Sequence, residues 1–420
     1  MAQSALAEWR RYPLLPIAAA VGYATSVLHV YGLGPYIEPI SREFGWSRVQ
    51  TTAGLTLATL LQCLGSIPVG MAVDRLGARP LGLVGALLLP AAFALLGTAT
   101  GGKANWYLLW GLMALAALSV QPTIWSSALA SRFSASRGLA LAVGLCGASG
   151  AAALFPWLGN KLITDYGWRR ALVLQAAIWA TVGFPLIALF FRGSNDVPAG
   201  PGKESMAKHS NIAGASFARG LHSSIYLRLL LASLLFSFTI LALVVHFVPL
   251  LTGSGLTPVA AAGTAALIGL FSLAGRIGTG LLLDRYRGSL VGAGAFALAT
   301  VGCLALIATG TSSRGALLPA MLIGLTLGAE TDVIVYLATR HFGLRNFGAL
   351  YGGLLVALST GTATGPLTAA RVFDVYGSYT PFLWLGVACM VVSSLSLASL
   401  PQPPPIPVKA QSANSQSFAV

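Results

Sequence analysis

The most informative part of this chain is a ten-residue stretch, Gly70–Arg79, which reads GMAVDRLGAR. It places an aspartate, two arginines and two glycines between long apolar segments. A thinner copy, Gly280–Arg285, reads GLLLDR and lies 210 residues further on, at half the length of the 420-residue chain. Pro156 and Pro366 repeat at the same offset. A charged turn repeated at this distance indicates two related halves.

The composition excludes a soluble protein. Hydrophobic residues make up 56% of the chain and charged residues 9%, and the mean hydropathy is +0.78. Soluble domains carry about 25% charged residues, so a soluble chain of this length could not cover its surface with polar groups. The net charge of +14 comes from basic residues scattered singly between apolar runs. The positive-inside bias of membrane proteins explains that pattern, and no nucleic-acid partner is expected.

Twelve apolar segments are long enough to cross the hydrocarbon core of a bilayer, which takes about 20 residues of α-helix. We predict spans 1 to 12, in order, at 14–36, 49–70, 80–99, 105–130, 138–160, 171–191, 227–251, 258–283, 290–309, 315–338, 347–371 and 380–400. None shows the alternation of a membrane β-barrel. The predicted fold is an all-α polytopic membrane protein, with twelve transmembrane helices in two pseudo-symmetric six-helix bundles.

Polar stretches divide the chain. Residues 1–191 form the predicted N-terminal six-helix bundle, 192–226 a cytoplasmic linker, 227–400 the C-terminal six-helix bundle, and 401–420 a disordered cytoplasmic tail. The termini, the linker and the loops on their side carry 16 Lys and Arg residues, and the opposite loops carry 8. The positive-inside rule therefore places both termini in the cytoplasm. We expect a multi-pass protein of the cell inner (cytoplasmic) membrane.

The repeated turn resembles the signature of the major facilitator superfamily. The family motif between spans 2 and 3 is matched at five positions of Gly70–Arg79, and Gly280–Arg285 keeps its glycine, aspartate and arginine. The resemblance covers the full length and implies two halves that rock around a site at the membrane midplane. It also implies a gate that locks the outward-facing state and breaks on rocking, formed by Gly70, Asp74, Arg75, Gly77, Arg79, Asp284 and Arg285.

Within the superfamily, three features are similar to the monocarboxylate-porter and oxalate/formate-antiporter group. They are EFGWSR at Glu43–Arg48, HFVP at His246–Pro249, and Arg276, eight residues before Asp284. That group often carries a substrate-facing arginine at the position of Arg276, so the resemblance implies a carboxylate substrate. Ser272 stands where animal monocarboxylate porters often carry an acidic residue, and span 11 lacks the lysine with which oxalate-type exchangers bind a dianion. We therefore expect a monocarboxylate.

Five ionisable residues fall inside predicted spans: His29, His246, Arg276, Glu330 and Asp332. A charge in the hydrocarbon core costs roughly 2.5–3.5 kcal/mol on insertion scales, so each needs a reason. Because a guanidinium binds a carboxylate in bidentate fashion, Arg276 is the predicted substrate contact. The alternatives are a structural salt bridge to Glu330 or Asp332, or snorkelling to the membrane edge. Glu330 and Asp332 face about 200° apart on a helix, so one of them can face a central cavity.

A carboxylate that pairs with Arg276 in one conformation and is released in another would bind and lose a proton. Glu330 or Asp332 is therefore predicted to carry the coupling proton, the alternative being a fixed charge pair between spans 8 and 10. His29, with Tyr36 seven residues further on the same face, and His246 in the equivalent span 7 are predicted to complete the substrate site. The alternative is that each histidine is hydrogen-bonded to a neighbouring helix.

The sequence indicates a transporter and not an enzyme. It contains no phosphate-binding Gly-Lys-Ser/Thr loop, no supported catalytic set and no metal-ligand spacing, so no cofactor or metal is expected. We expect a monomeric secondary transporter of a small organic anion, with protons and the lipid bilayer as its other partners. Two alternatives stay open: a proton-driven exporter of lipophilic drugs or metabolites, and a transport-dead sensor that signals through its linker or tail.

Overall fold

The computed structural model describes residues 2–193, 216–253, 255–309 and 315–403. Helices form the regular elements of these residues. Eleven are long and apolar enough to cross a membrane, and a bent pair, Leu15–Ser26 with Leu28–Phe44, supplies a twelfth span in this part of the chain. The prediction of an all-helical polytopic protein is confirmed. Most of the predicted linker and tail lies outside the described residues, so the domain boundaries stay predictions.

The observed helices follow the predicted spans in order. Span 1 bends by 45° and comprises Leu15–Ser26, Leu28–Tyr31, the 3-10 turn Gly34–Tyr36, and Ile37–Phe44. Spans 2 to 6 are Arg48–Leu76, Ala78–Leu95, Lys103–Leu118 with Pro122–Arg132, Arg137–Tyr166, and Trp168–Phe190. Spans 7 to 12 are Ser224–Thr252, Pro258–Arg285, Gly288–Thr309, Leu317–Phe342, Phe347–Tyr376 and Thr380–Ala398. Shorter helices are Ala2–Arg11 and Phe217–Leu221; we call Ala2–Arg11 the N-terminal helix.

The prediction of a charged turn at Gly70–Arg79 needs correction. Span 2 continues to Leu76, so Asp74 and Arg75 lie in its last helical turn. A helix of 29 residues measures about 44 Å at 1.5 Å per residue. This exceeds a hydrocarbon core of about 30 Å, so the helix is long enough for its charged end to lie outside that core. The helix ends at Gly77, whose φ of +87° is accessible to glycine but strained for other residues.

Span 4 is broken, although the sequence predicted a continuous helix. Its first segment ends at Leu118 and its second begins at Pro122. Proline is favoured at the first position of a helix, because the missing N–H would have no partner there. The indole Nε1–H of Trp125 donates to the freed carbonyl of Val120 at 2.9 Å. The break thus exposes backbone polar groups deep in the bundle and satisfies them with buried side chains.

The same helix pairings occur in both halves. Span 1 packs on span 5, span 2 on span 4 and span 3 on span 6, and the equivalent pairs are 7 with 11, 8 with 10 and 9 with 12. The halves meet where span 2 packs on span 11 and span 5 on span 8. A Cβ on Gly70 would lie 2.0 Å from the carbonyl oxygen of Gly348, and one on Gly138 would lie 2.5 Å from that of Gly280. Glycines therefore permit this close contact.

We call the end of the bundle at which spans 2, 4, 6, 8, 10 and 12 end, and at which span 7 begins, the linker face. The N-terminal helix lies on this face, because Glu8 accepts hydrogen bonds from the loop between spans 4 and 5. The other end of the bundle is the opposite face.

Candidate functional site

An ion pair lies between spans 8 and 10. Nη1 of Arg276 is 3.5 Å from Oδ2 of Asp332, and the two side chains are 12% and 0% exposed. Glycine brings the two helices together, since a Cβ on Gly328 would lie 1.9 Å from the carbonyl oxygen of Ser272. Arg276 is two helical turns, or about 12 Å, from Asp284 at the end of span 8. The pair is therefore buried well inside the membrane-spanning part.

This ion pair is only half satisfied. A donor–acceptor distance of 3.5 Å is long for a charged hydrogen bond, which is typically about 2.7–2.9 Å. Nε of Arg276 and Oδ1 of Asp332 are buried and have no hydrogen-bond partner within the described residues. Buried charged groups are normally fully hydrogen-bonded. The pair thus retains an unused donor on the guanidinium and an unused acceptor on the carboxylate, which a small polar ligand could engage.

Glu330 takes a different partner. Its Oε1 accepts a hydrogen bond of 2.8 Å from the hydroxyl of Ser237 on span 7, and its residue is 7% exposed. Glu330 and Asp332 therefore face different neighbours, as their spacing predicted. Of the two carboxylates, Asp332 is the one that pairs directly with Arg276.

Three residues that sequence reasoning missed lie around the ion pair. Tyr351 on span 11, Tyr23 on span 1 and Cys146 on span 5 are close enough for the charges of Arg276 and Asp332 to act on their ionisable groups. Tyr351 is fully buried, its ring stacks on Phe347 at 5.4 Å, and its hydroxyl has no partner in the described structure. A neutral polar residue in an apolar span is less costly than a charge and is therefore less conspicuous in a sequence; for Tyr351 the signal is a tyrosine near the start of predicted span 11.

His29 belongs to a polar chain in the N-terminal half. Its Nε2 lies 2.9 Å from the side-chain amide Nε2 of Gln62, and Nδ1 is buried without a partner among the described residues. As the amide nitrogen donates, the imidazole Nε2 accepts, which leaves the proton on Nδ1 of a neutral ring. Gln121, at the break in span 4, donates to the carbonyl of Gln62 at 2.9 Å. Span 1, span 2 and span 4 are thus joined by neutral polar groups.

Tyr36 and His246 are held by partners in their own halves. The hydroxyl of Tyr36 donates to Oε1 of Gln175 at 2.7 Å, in a fully buried position. The two ring nitrogens of His246 lie 3.0 Å from the hydroxyl of Tyr379 and 3.0 Å from the carbonyl oxygen of Pro366. The structure therefore brings Arg276 and Asp332 together, with Glu330 nearby, but records no contact of Tyr36 or His246 with them. The assignment of these residues to a substrate site remains a prediction.

The two motif aspartates occupy equivalent places at the linker face. Asp74 accepts the backbone N–H groups of Gly348 and Ala349, the first turn of span 11, at 2.8 and 3.0 Å. Asp284 accepts those of Gly138 and Leu139, the first turn of span 5, at 2.6 and 2.9 Å. Each carboxylate thus caps a helix of the other half, where free N–H groups and the helix dipole favour a negative charge. We call these two contacts the aspartate latches.

The other motif residues differ in their contacts. Arg79 donates to the carbonyl of Ala188 at 2.8 Å, within its own half. Arg75 and Arg285 are exposed at the linker face. Arg137 does cross between the halves, because its Nη1 donates to the hydroxyl of Thr339 at 3.2 Å.

The N-terminal helix supports this face of the molecule. Both carboxylate oxygens of Glu8 accept backbone N–H groups of the loop Ser134–Ser136, at 3.0–3.1 Å, immediately before span 5. Partial burial raises the pKa of Glu8, but the hydrogen bonds from Ala135, Ser134 and Ser136 lower it more, so the pKa lies below its usual value. Glu8 is therefore charged at neutral pH and fixes the loop that leads into a latched helix.

Comparison with known proteins places this architecture in a family. The family model of the Major Facilitator Superfamily matches residues 19–352. Monocarboxylate transporter 13 of Rattus norvegicus is 29% identical over 364 residues, which cover 84% of this chain and 80% of that protein. Monocarboxylate transporter 11 of Homo sapiens is 27% identical over 407 residues, which cover 92% and 83%.

A solved structure shares the fold. The fucose:proton symporter FucP of E. coli superimposes with a TM-score of 0.69 at 15% identity, covering 91% of this chain and 96% of that one. The resemblance inferred from the repeated motif is thereby confirmed, as is the expectation of a transporter. The chain belongs to the major facilitator superfamily and is a multi-pass membrane transporter similar in sequence to the monocarboxylate transporters.

Proposed function

We propose that this protein carries a small organic anion, a monocarboxylate, across the cytoplasmic membrane together with a proton. The half-satisfied pair of Arg276 and Asp332 carries this proposal. Two observations on other proteins support it: the related curated proteins are named monocarboxylate transporters, and FucP, which shares the fold, is named a proton symporter.

Arg276 binds the substrate carboxylate in this mechanism. Its Nε is buried and unused, and a guanidinium presents its donors in a planar fork that fits the two oxygens of a carboxylate. A substrate carboxylate on that side of the fork would compete with Asp332, whose present contact is long. The hydroxyl of Tyr351, which lacks a partner in the described structure, is available to donate to the same substrate.

Asp332 couples the transport to protons. Once the substrate draws Arg276 away, Asp332 becomes a buried carboxylate without a cation. An isolated buried charge is so unfavourable that the group takes up a proton instead. The site would then contain the Arg276 cation, the bound anion and a neutral Asp332. Because these charges sum to zero, the loaded site can change its exposure from one side of the membrane to the other at a low electrostatic cost. Glu330, paired with Ser237, is the second candidate for this role.

The aspartate latches hold one conformation of the alternating-access cycle. They join the halves at the linker face, which we infer to be cytoplasmic from its excess of Lys and Arg. With this face closed, the site exchanges substrate with the opposite, external face. Binding and protonation would then favour breaking the latches and opening the cytoplasmic side.

Uptake into proteoliposomes tests the proposal. A panel of labelled mono- and dicarboxylates is offered with and without an inward proton gradient. We expect gradient-stimulated accumulation of a monocarboxylate, and no uptake by Arg276→Gln. Arg170→Gln removes the same charge from an exposed position at the opposite face and should transport normally. Asp332→Asn should retain substrate counterflow, because binding survives, but lose accumulation driven by the gradient.

The outcomes separate the alternatives. Normal uptake by Arg276→Gln would remove Arg276 from the substrate site. Absence of uptake of every acid by folded wild-type protein would contradict the importer and favour the exporter of lipophilic compounds. Resistance of cells to toxic cations on expression is the corresponding test of that alternative.

A further inference from the structure

A polar cavity lies at the linker face of the C-terminal half, away from the central ion pair. It has a volume of about 230 Å³ and lies where the start of span 9 meets the end of span 10. Pockets for drug-sized ligands run to roughly 300–1,000 Å³, so this one fits only a small group. The residues of its wall include Arg287, Ser289, Tyr336 and Arg340 and no acidic residue.

The beginning of span 9 forms one side of the cavity. The N–H groups of Leu290 and Val291 bond to the carbonyl of Arg287, but those of Gly288 and Ser289 have no acceptor in the described part of the chain. The open end of a 22-residue helix offers free N–H donors and a positive dipole end to an anion. Gly288 also lets the Tyr336 ring approach closely, since a Cβ there would lie 2.9 Å from Cε1 of that ring.

Two buried donors in this wall lack acceptors. Ser289 is 1% exposed, and its hydroxyl has no hydrogen-bond partner among the described residues; the same is true of the buried Nε of Arg340. Buried polar groups are normally paired, and an exception indicates a missing ligand, ion or water. Since Nε of a guanidinium can only donate, the missing partner of Arg340 is an acceptor.

The local charge is unbalanced in the same direction. Arg340 and Arg137 repel each other electrostatically. Asp284, whose charge acts on Tyr336 of the cavity wall, is engaged by two backbone N–H groups of span 5. Arg287 is fixed beside the cavity by a hydrogen bond of 2.9 Å from Nη2 to the carbonyl of Leu400. An anion in the cavity would meet the guanidinium groups of Arg287 and Arg340 and would offset the positive charge of this region.

We propose that this cavity is a phosphate-binding site, formed by Arg287, Arg340, Ser289 and the amino end of span 9. Arginine forks, a hydroxyl and helix N–H groups are the donors that recognise phosphate oxygens. The phosphate can belong to the headgroup of an anionic phospholipid in the adjacent leaflet or to a soluble ion. Both sources present the same chemistry, so the experiment has to distinguish them.

The test measures binding to the purified full-length protein in detergent by native mass spectrometry. Inorganic phosphate, dioctanoyl phosphatidylglycerol and dioctanoylglycerol, which lacks the phosphate, are titrated separately. We expect saturable binding of at least one phosphate compound and none of dioctanoylglycerol. Binding of inorganic phosphate identifies a soluble ligand site, and binding of phosphatidylglycerol alone identifies a lipid site; both support the proposal.

Variants show whether binding occurs in this cavity. Arg340→Gln should weaken it about tenfold, which corresponds to about 1.4 kcal/mol, and Ser289→Ala should weaken it severalfold with little risk to folding. Arg219→Gln removes the same charge from the short helix Phe217–Leu221, outside the cavity, and should bind as the wild type does. The proposal is overturned if neither phosphate compound binds, or if Ser289→Ala and Arg340→Gln bind as tightly as Arg219→Gln.

Discussion

Replacing the two latch aspartates by asparagine should open the linker face. Asp74 and Asp284 each accept two backbone N–H groups from the opposite half, at distances of 2.6 to 3.0 Å. Asparagine has the same shape, but one of its two terminal groups is an amide NH₂ that cannot accept a hydrogen bond. Each substitution therefore removes one of two bonds and leaves two donors facing each other.

The expected magnitude follows from these contacts. A hydrogen bond to a charged group contributes roughly 1.5–3 kcal/mol, and a charge at a helix end about 0.3–1 kcal/mol. We therefore expect each substitution to shift the equilibrium toward the open linker face by about 2–3 kcal/mol, which is a factor of roughly 30 to 140 at 1.4 kcal/mol for each factor of ten. Because the two latches lie on separate helix pairs, their effects should be nearly additive.

Double electron–electron resonance, which measures the distance between two spin labels, can detect this shift. Spin labels at Leu76→Cys and Tyr286→Cys would report on the ends of spans 2 and 8, where both residues are 64% exposed. The four native cysteines, Cys63, Cys146, Cys303 and Cys389, are first replaced. A population at longer distance should grow in Asp74→Asn and grow further in the double variant with Asp284→Asn.

The control is Asp165→Asn, which makes the same change at an exposed position at the opposite face. If both latch variants give the distance distribution of this control, the latches do not hold the linker face closed. A shift to shorter distances would also refute the reasoning, because it would mean that the carboxylates hold the halves apart.

Three further predictions test neighbouring features. Gly348→Ala would place a Cβ 2.2 Å from the carbonyl oxygen of Gly70, so the same spin labels should report an open linker face even with both aspartates present. Glu8→Gln should increase proteolysis of the N-terminal helix at pH 7. The pKa of Glu8 is lowered on folding, so the charged carboxylate stabilises the folded protein fully above the usual pKa of 4.5 and loses this effect as the pH falls below 4.5. The wild type should therefore be cleaved as fast as the variant only in acid. Tyr36→Phe breaks a buried hydrogen bond and should lower the free energy of unfolding by about 1–3 kcal/mol, which a lower melting temperature would show. Tyr351→Phe removes a hydroxyl that has no partner in the described structure and should raise the KM for substrate with little effect on the melting temperature.

Charge made part of this molecule predictable from its sequence. An ionised group in an apolar span is costly, so Arg276, Glu330 and Asp332 were conspicuous, and their spacing around the helix predicted that the two carboxylates would face different neighbours. The structure pairs one with Arg276 and the other with Ser237. The repeated aspartates likewise marked the contacts between the halves. They did not identify the partners, because every residue except proline has a backbone N–H and the sequence does not show which of these groups binds the carboxylate.

Neutral polar groups were not predictable in the same way. Gln62 and Tyr351 cost less to place in a membrane helix than a charge does, and their roles depend on which helices pack together. The break in span 4 was missed for a related reason: Ser119 and Gln121, which lie in it, are neutral, and only Pro122 indicates where the helix restarts. Contacts of Tyr36 and His246 within their own halves also depend on packing, which hydropathy does not report.

The repeat is retained where both halves perform the same mechanical task and lost where they hold different chemistry. The latches match almost atom for atom, as we expect if the halves rock about a pseudo-twofold axis, because both cross-contacts would then break together. At the centre, however, the N-terminal half presents neutral groups, His29, Gln62 and Gln121, and the C-terminal half presents Arg276 and Asp332. A single bound anion cannot be recognised symmetrically by two equal halves. We infer that the C-terminal half binds the substrate carboxylate and the proton, while the N-terminal half contacts the neutral remainder of the substrate.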